Sequence, residues 1–288
     1  MQLVTEENIT DLAVERWSTG DNPRLAEVMP ALVRHLHEFA REVELTEAEW
    51  MAAIEWLTAT GHASDEKRQE FILASDVLGL SMLVVQLNHR FDGAATPATV
   101  LGPFFIPGSP SMPYGGDMSD GLPGTPLYIT GKVVGVDGEP VAGAVLDVWQ
   151  ADEEGLYEAQ IADIDEARLR ATYTTREDGG YCVRTIAPKG YSIPMDGPVG
   201  DLIGRTDISH FRPAHVHFLL DVDGYERLIT HLFQAGAEYL ENDVVFGAKE
   251  GLVVDFEEHP PGPTPAGDES AEPFLVARYD FVLQPRAG

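Results

Sequence analysis

The chain has 288 residues, a hydrophobic fraction of 44% and a formal net charge of -29. That is enough apolar material for one large domain or two modest ones with a real core. An acidic surface of this strength repels phosphate backbones and anionic lipid, which argues against nucleic-acid binding and peripheral membrane attachment.

With Cys182 as the only cysteine no intramolecular disulfide can form, and Cys182 itself reads as a small strand residue. No apolar run reaches the ~20 residues of a spanning helix, and the opening MQLVTEENITDL lacks the basic and apolar regions of a secretion signal. A cytoplasmic location is expected.

Residues 1 to about 92 read as helices. Leu25, Val28, Met29, Leu32, Leu36 and Phe39 recur at three- and four-residue steps over Pro23 to Val43, with Asn22 as N-cap before a first-turn proline and Pro30 a candidate kink. Thr46 and Glu49 form a capping box ahead of Trp50, Ile54 and Leu57, and Gly61 ends that helix. A third helix is predicted from near Ser64. Its run from Leu80 to Val85 is too apolar for an exposed face, and packs against the second half of the chain or against another subunit.

From about residue 100 short alternating runs lie between Gly/Pro turns. Strands are expected over Leu127 to Val136, Ala144 to Trp149, Tyr181 to Ile186, His215 to Val222, Arg227 to Phe233 and Arg278 to Leu283. The stretch from Glu257 to Glu272 reads as a surface loop. The expected class is α+β: an N-terminal helical domain, residues 1–98, and a mainly antiparallel β-sandwich, residues 99–288.

His215-Val216-His217 is the sharpest local signal for chemistry. On a strand, residues i and i+2 share a face, so both imidazoles can reach one metal. His35-Leu36-His37 has the same spacing on a helical pattern, where the two side chains diverge. Alone, such a pair is a weak signal, since paired strand histidines also serve structure. Tyr157, where a strand runs out into a loop, and Tyr191, in the Pro/Gly-framed turn Pro188 to Pro194, fall outside any alternating core pattern.

Taken together, these stretches resemble the intradiol ring-cleavage dioxygenases. The resemblance runs from about Phe71 to Val254. It is carried by Leu101-Gly102-Pro103-Phe104-Phe105, Gly143 to Asp152 with Gly155-Leu156-Tyr157, Pro188 to Pro194, Gly197-Pro198-Val199-Gly200, and Arg212-Pro213-Ala214-His215-Val216-His217-Phe218. It implies a ferric ion, Fe(3+), on Tyr157, Tyr191, His215 and His217, and cleavage of an aromatic diol by O2 between its hydroxyls. Phenolate is a hard anionic donor that suits Fe(III), whereas two tyrosines are atypical of zinc. Tyr191 would act as a base toward the diol, and Arg212 as a cation beside the substrate; its bland alternative is a strand-entry arginine paired with a surface acid.

Several positions are similar to the hydroxyquinol-cleaving branch. Leu73 and Asp76 stand in the Leu-x-x-Asp step of its last long helix, where an acid could accept a hydrogen bond from a third hydroxyl that catechol lacks. The bland reading of Asp76 is an ordinary helix acid. Val100, Leu101, Gly102, Pro103 and Phe104 would line one wall, and Ile193, Pro194 and Val245 another. Two departures stand out. His231 replaces the usual glutamine of the catechol type, and either assists the metal centre or simply faces the sheet. Asp207-Ile208-Ser209-His210 replaces a Gly-Arg-His run. The resemblance also implies a homodimer through the N-terminal helices with bound phospholipid. Catechol or chlorocatechol cleavage, a zinc hydrolase on His215 and His217, and a metal-free transthyretin-like binding sandwich are the rival readings.

Overall fold

The computed structural model describes residues 3–286 apart from 92, 94, 162, 163 and 165. The first two residues of the opening read for a secretion signal therefore lie outside the described residues. The chain divides into two compact units, Met1–Ala59 and Thr60–Gly288.

The first unit holds α1 (Ile9–Trp17), α2 (Pro23–Glu42) and the start of α3 (Glu47–Ala63). Asn22 caps α2 as its sequence predicts, its side-chain oxygen accepting from the Arg24 and Leu25 amides at 3.1 and 3.2 Å, a cap worth about 1 kcal/mol. Thr46 and Glu49 close their capping box: the Glu49 amide donates to Thr46 Oγ1, and the Thr46 amide to Glu49 Oε2. His35 and His37 diverge on α2, one toward Glu38 and the other onto Thr10, so this pair does not chelate. The α2 stripe is present but exposed at Leu25, Leu32, Leu36 and Phe39.

In the second unit the predicted third helix is two: α4 (Glu70–Val77) and α5 (Leu80–Asn88), bent by 78°. Gly79 makes the break, with φ of 71°, a left-handed conformation open to glycine at little cost. Packing against the second half of the chain holds only in part for the apolar run. Met82 is buried and Val85 packs on the sandwich core, while Leu80, Leu83 and Leu87 are exposed. No single helix among the described residues is long and apolar enough to cross a membrane.

The strands that follow are β1 (Pro126–Gly135), β2 (Val145–Trp149), β3 (Arg170–Thr174), β4 (Gly180–Ile186), β5 (Tyr191–Ser192), β6 (Phe211–Arg212), β7 (His215–Asp221), β8 (Leu228–Gln234), β9 (Val253–Val254), β10 (Phe256–His259), β11 (Gly262–Pro263), β12 (Glu269–Ser270), β13 (Phe274–Arg278) and β14 (Phe281–Leu283), with a short helix α6 (Pro198–Ile203) between β5 and β6. One sheet runs β3-β2-β7-β8-β9, and the other β10-β13-β1-β14 with β4 on β1. Most ladders are antiparallel, as expected, but β1 pairs in parallel with β13 and β14, and β8 with β9. Two predictions are corrected. The last strand is interrupted: β13 ends at Arg278 and β14 begins at Phe281. The supposed loop over 257–272 contains most of β10 and the ribbon β11–β12, because β10 finds a backbone partner in β13.

Strand period places the site. In β7, Val216, Phe218 and Leu220 face the core between the sheets, all fully buried, each worth roughly 2 kcal/mol in burial. The alternate residues His215, His217 and Leu219 take the opposite face, where Trp149, Tyr157 and Tyr191 cover them. A one-residue slip would drive both imidazoles into the apolar core, so register is strongly specified.

Candidate metal centre and active site

Four side chains from three separate segments converge. His215 and His217 come from β7. Tyr157 comes from the loop after β2. Tyr191 opens β5 and pairs directly with Arg212 of β6. Their polar atoms form a close-set group: Tyr157 Oη lies 3.2 Å from Tyr191 Oη and 3.1 Å from His217 Nε2, and His217 Nε2 lies 3.2 Å from His215 Nε2. All four residues are nearly inaccessible. The loop reaches this position because Gly155 adopts φ of 80°; a Cβ there would lie 2.5 Å from Tyr191 Cβ.

The donor chemistry fits a cation. His215 Nδ1 stands 2.6 Å from the Pro213 carbonyl, which only accepts, so Nδ1 carries the proton. Burial first, then the Arg212 guanidinium, drives the His215 pKa down to about 3. The ring is therefore neutral and Nε2 is a lone pair. Burial likewise drives His217 well down, with His215 and Arg212 adding to it. The phenols are pushed the other way. Burial raises Tyr157 well above its ordinary value, and raises Tyr191 despite the opposing pull of Arg212. Donors about 2 Å from a shared ion stand roughly 3 Å apart, which matches this spacing. A multivalent cation would also offset the cost of deprotonating two buried phenols.

His231 is not placed as a fifth equivalent donor, although its imidazole clusters with those of His215 and His217. It pairs with His217 across β7 and β8. Its Nε2 meets His217 Nδ1 at 2.7 Å, while its own Nδ1 meets Thr99 Oγ1 at 2.7 Å. For His217 to offer Nε2 as a lone pair, Nδ1–H must donate to His231 Nε2, and His231 Nδ1–H to Thr99. Such a relay would leave His217 Nε2 free for a metal, as partners behind ligating imidazoles commonly do. His231 therefore contacts His217 directly and does not merely face the sheet. Replacing His231 by Gln keeps an acceptor for His217 and is expected to preserve metal affinity. His231→Leu is expected to lower it about 10- to 100-fold, read by metal titration of the apoprotein.

Arg212 is buried, not a surface arginine. Its Nε and Nη2 donate to Asp243 Oδ1 and Oδ2 at 3.0 and 3.3 Å, and its Nη1 lies 3.0 Å from His215 Nε2. Asp243 thus aims one guanidinium nitrogen at the cluster. Trp149, opposite His217 on β2, stacks on its ring at 4.7 Å. Sequence reasoning missed Asp243, Trp149 and Thr99 as site residues. Trp149 lay inside the Gly143 to Asp152 stretch, whereas Asp243 and Thr99 carried no local signal.

A cavity of about 330 Å³ adjoins the cluster. Leu73, Pro103, Phe104 and Pro194 line it, as expected, together with Arg68, Glu70 and Asp196, which sequence did not single out. Phe104 stacks on Tyr157 at 4.5 Å. Asp76, Val100, Ile193 and Val245 are buried and do not line that cavity, nor do Leu101 and Gly102, though a Cβ on Gly102 would lie 3.4 Å from the His217 ring. Arg68 forks onto Asp196 at 3.0 Å and reaches Glu70 at 2.9 Å. Glu70 in turn accepts from the Val199 amide at the start of α6.

Asp76 and the Trp149 indole nitrogen are buried polar groups without a hydrogen-bond partner, and Asp76 is the ionisable one. It is 1% exposed, and neither carboxylate oxygen has a hydrogen-bond partner. The Ser81 hydroxyl, which eases it, is committed to Ser75 Oγ at 2.8 Å. Burial pushes the Asp76 pKa up to about 6. A buried acid left without partners is costly, and this one lies within electrostatic range of Arg212 and Asp243.

Comparison with known proteins agrees with this site. Residues 22–96 match the family model described as Catechol dioxygenase N terminus, and residues 100–285 that described as Dioxygenase. The chain is 45% identical over 285 residues to 6-chlorohydroxyquinol 1,2-dioxygenase of Cupriavidus pinatubonensis, covering 99% of each. It is 46% identical over 285 residues to hydroxyquinol 1,2-dioxygenase of Nocardioides simplex, covering 99% of this chain and 97% of that one. The crystal structure of hydroxyquinol 1,2-dioxygenase from Pseudomonas putida superposes with a TM-score of 0.89 at 45% identity, covering 98% of this chain and 99% of that one. With a covered cluster of phenols and imidazoles on one sheet face and near-full-length relatives of this kind, the chain belongs to the intradiol ring-cleavage dioxygenases.

Proposed function

We propose that this protein is a hydroxyquinol 1,2-dioxygenase, which uses O2 to open 1,2,4-trihydroxybenzene between its adjacent hydroxyls to 3-hydroxy-cis,cis-muconate (maleylacetate). The observation that carries the substrate is Asp76. A buried carboxyl with two unpartnered oxygens suits a ring with one hydroxyl more than catechol, and a site built around such a bond rejects analogues lacking it. The names of the relatives point the same way.

In this reading Tyr157, Tyr191, His215 and His217 hold Fe(III). When bound, the ion supplies Lewis acidity and the electronic activation that lets O2 react with the ring. The residues do the rest. Tyr191 Oη takes a hydroxyl proton from the diol. Arg212 Nη1, the nitrogen not engaged by Asp243, faces the charge that develops. His231 and Thr99 hold the His217 tautomer. Leu73, Pro103, Phe104 and Pro194 line the ring pocket; Asp76, one helical turn beyond Leu73 on α4, and Val100, Leu101, Gly102, Ile193 and Val245 complete it in this reading.

Residues 1–98 are read as a helical dimerisation domain and 99–288 as the catalytic sandwich. The exposed apolar residues of α2, and separately those of α5, support a homodimer, with phospholipid a fitting occupant of such apolar faces.

Steady-state turnover on hydroxyquinol, catechol and chlorocatechols, with iron analysis and a visible spectrum, tests the reading. A colourless iron-loaded protein, or one that prefers catechol, would overturn it. Asp76→Ala is expected to cut hydroxyquinol turnover at least about tenfold more than catechol turnover; equal losses would remove Asp76 from recognition.

A further inference from the structure

We infer that substrate discrimination here is gated by the protonation state of Asp76: the ionised carboxyl selects the triol, and the neutral carboxyl admits catechol-type diols almost as well. The inference rests on the proposed recognition of a third hydroxyl and goes beyond it.

Asp76 lies one turn beyond the cavity-lining Leu73 on the same buried face of α4, and both of its oxygens lack partners. Two helices pack against α4. One, α5, carries no ionisable side chain and brings only Ser81; the other, α6, carries the exposed Asp201. Glu70, on α4 itself, is committed to Arg68 and the Val199 amide. Of the charged groups that reach Asp76, Arg212 favours its ionisation and Asp243 opposes it, and these two are locked to each other. Among the described residues no cation is paired with Asp76 itself, so its charge is free to respond to pH and to the bound ring.

A triol places an O–H donor against the carboxyl, which favours the carboxylate. Catechol or a capped diol places C–H there and leaves a buried charge unpartnered, which favours the acid. The two ligands therefore pull the same equilibrium in opposite directions. Burial has already raised the pKa to about 6. The group is mostly neutral below that and mostly ionised above, so preference for the triol should grow as pH rises through that window. The expected change is about tenfold, the difference between a charge-assisted and a neutral hydrogen bond.

The test is binding without turnover. Anaerobic titration of the iron-loaded protein with hydroxyquinol and with catechol, from pH 5 to 8, gives the ratio of dissociation constants. We expect the ratio (catechol over hydroxyquinol) to rise about tenfold with pH in the wild type and to stay flat in Asp76→Asn. Should that variant fold poorly, 4-methoxycatechol, which caps the third oxygen, serves on the wild type and should follow catechol. A wild-type ratio that favours hydroxyquinol equally at every pH overturns the gating alone. A ratio that never favours hydroxyquinol overturns the proposed substrate. A slope that survives in Asp76→Asn assigns the effect to another group and also overturns the inference.

Discussion

Tyr157→Phe is expected to strip the centre of iron and colour and to lower turnover at least about 100-fold. Changes in groups that merely support a ligand already cost about 10- to 100-fold, and the proposed role of Tyr157 is more direct. Its Oη is within 3.2 Å of both Tyr191 Oη and His217 Nε2, so its removal takes an anionic donor from the middle of the group. A trivalent ion would then keep one phenolate and two neutral imidazoles. The substitution leaves packing alone: the Phe ring can keep the stack on Phe104, and the deleted atom is a hydroxyl whose ionisation burial already opposes. Thermal stability of the apoprotein should therefore be unchanged or slightly higher. Iron content and the visible spectrum of the purified variant read the result; unchanged metal and activity would remove Tyr157 from the centre.

The parts of this molecule that sequence made legible are those whose signal is local. The alternation in His215-Val216-His217-Phe218 places both imidazoles on one face, and the observed strand does the same. Asn22, Thr46 and Glu49 announce helix starts through side chains that bond amides two or three residues away. Tyr157 and Tyr191 carry no such periodicity. They were legible only through resemblance, because what brings them to His217 is a positive-φ glycine at 155 and the pairing of Tyr191 with Arg212 across 21 residues. The parallel pairing of β1 with β13 and β14 was hidden for the same reason: strands separated by more than a hundred residues leave no spacing to read. The break at Gly79 was missed because a glycine in an apolar run is compatible with either a continuing or a broken helix. Arg212 illustrates the limit best. Its type suggested a cation, but its counter-charge, Asp243, lies 31 residues away and looked like one more acid in a strongly acidic chain.

That counter-charge should make Asp243→Ala one of the most damaging substitutions in the sandwich, at about 3–5 kcal/mol of stability at pH 7. The guanidinium and carboxylate are 4% and 2% exposed. Asp243 also accepts from the Gly247 and Ala248 amides at 2.9 and 3.2 Å, so it shapes the turn that carries Val245 and Phe246. Removing it leaves a buried guanidinium uncompensated beside His215, which should also weaken the centre. The sign with pH follows from the shift. Burial raises the Asp243 pKa, but Arg212 outweighs it and the net value is lowered. The pair therefore stabilises the fold above the unfolded-state value of about 3.9, and that contribution is lost as pH falls through the folded value. Denaturant unfolding at pH 7 and pH 3 should show a wide gap between wild type and variant at the higher pH, narrowing at the lower. Because the pair is one unit, Arg212→Ala combined with Asp243→Ala should cost less than the two single losses added together. Additive losses would mean that each group is held by the surrounding backbone alone, and that the orientation of Arg212 Nη1 toward the centre has another cause.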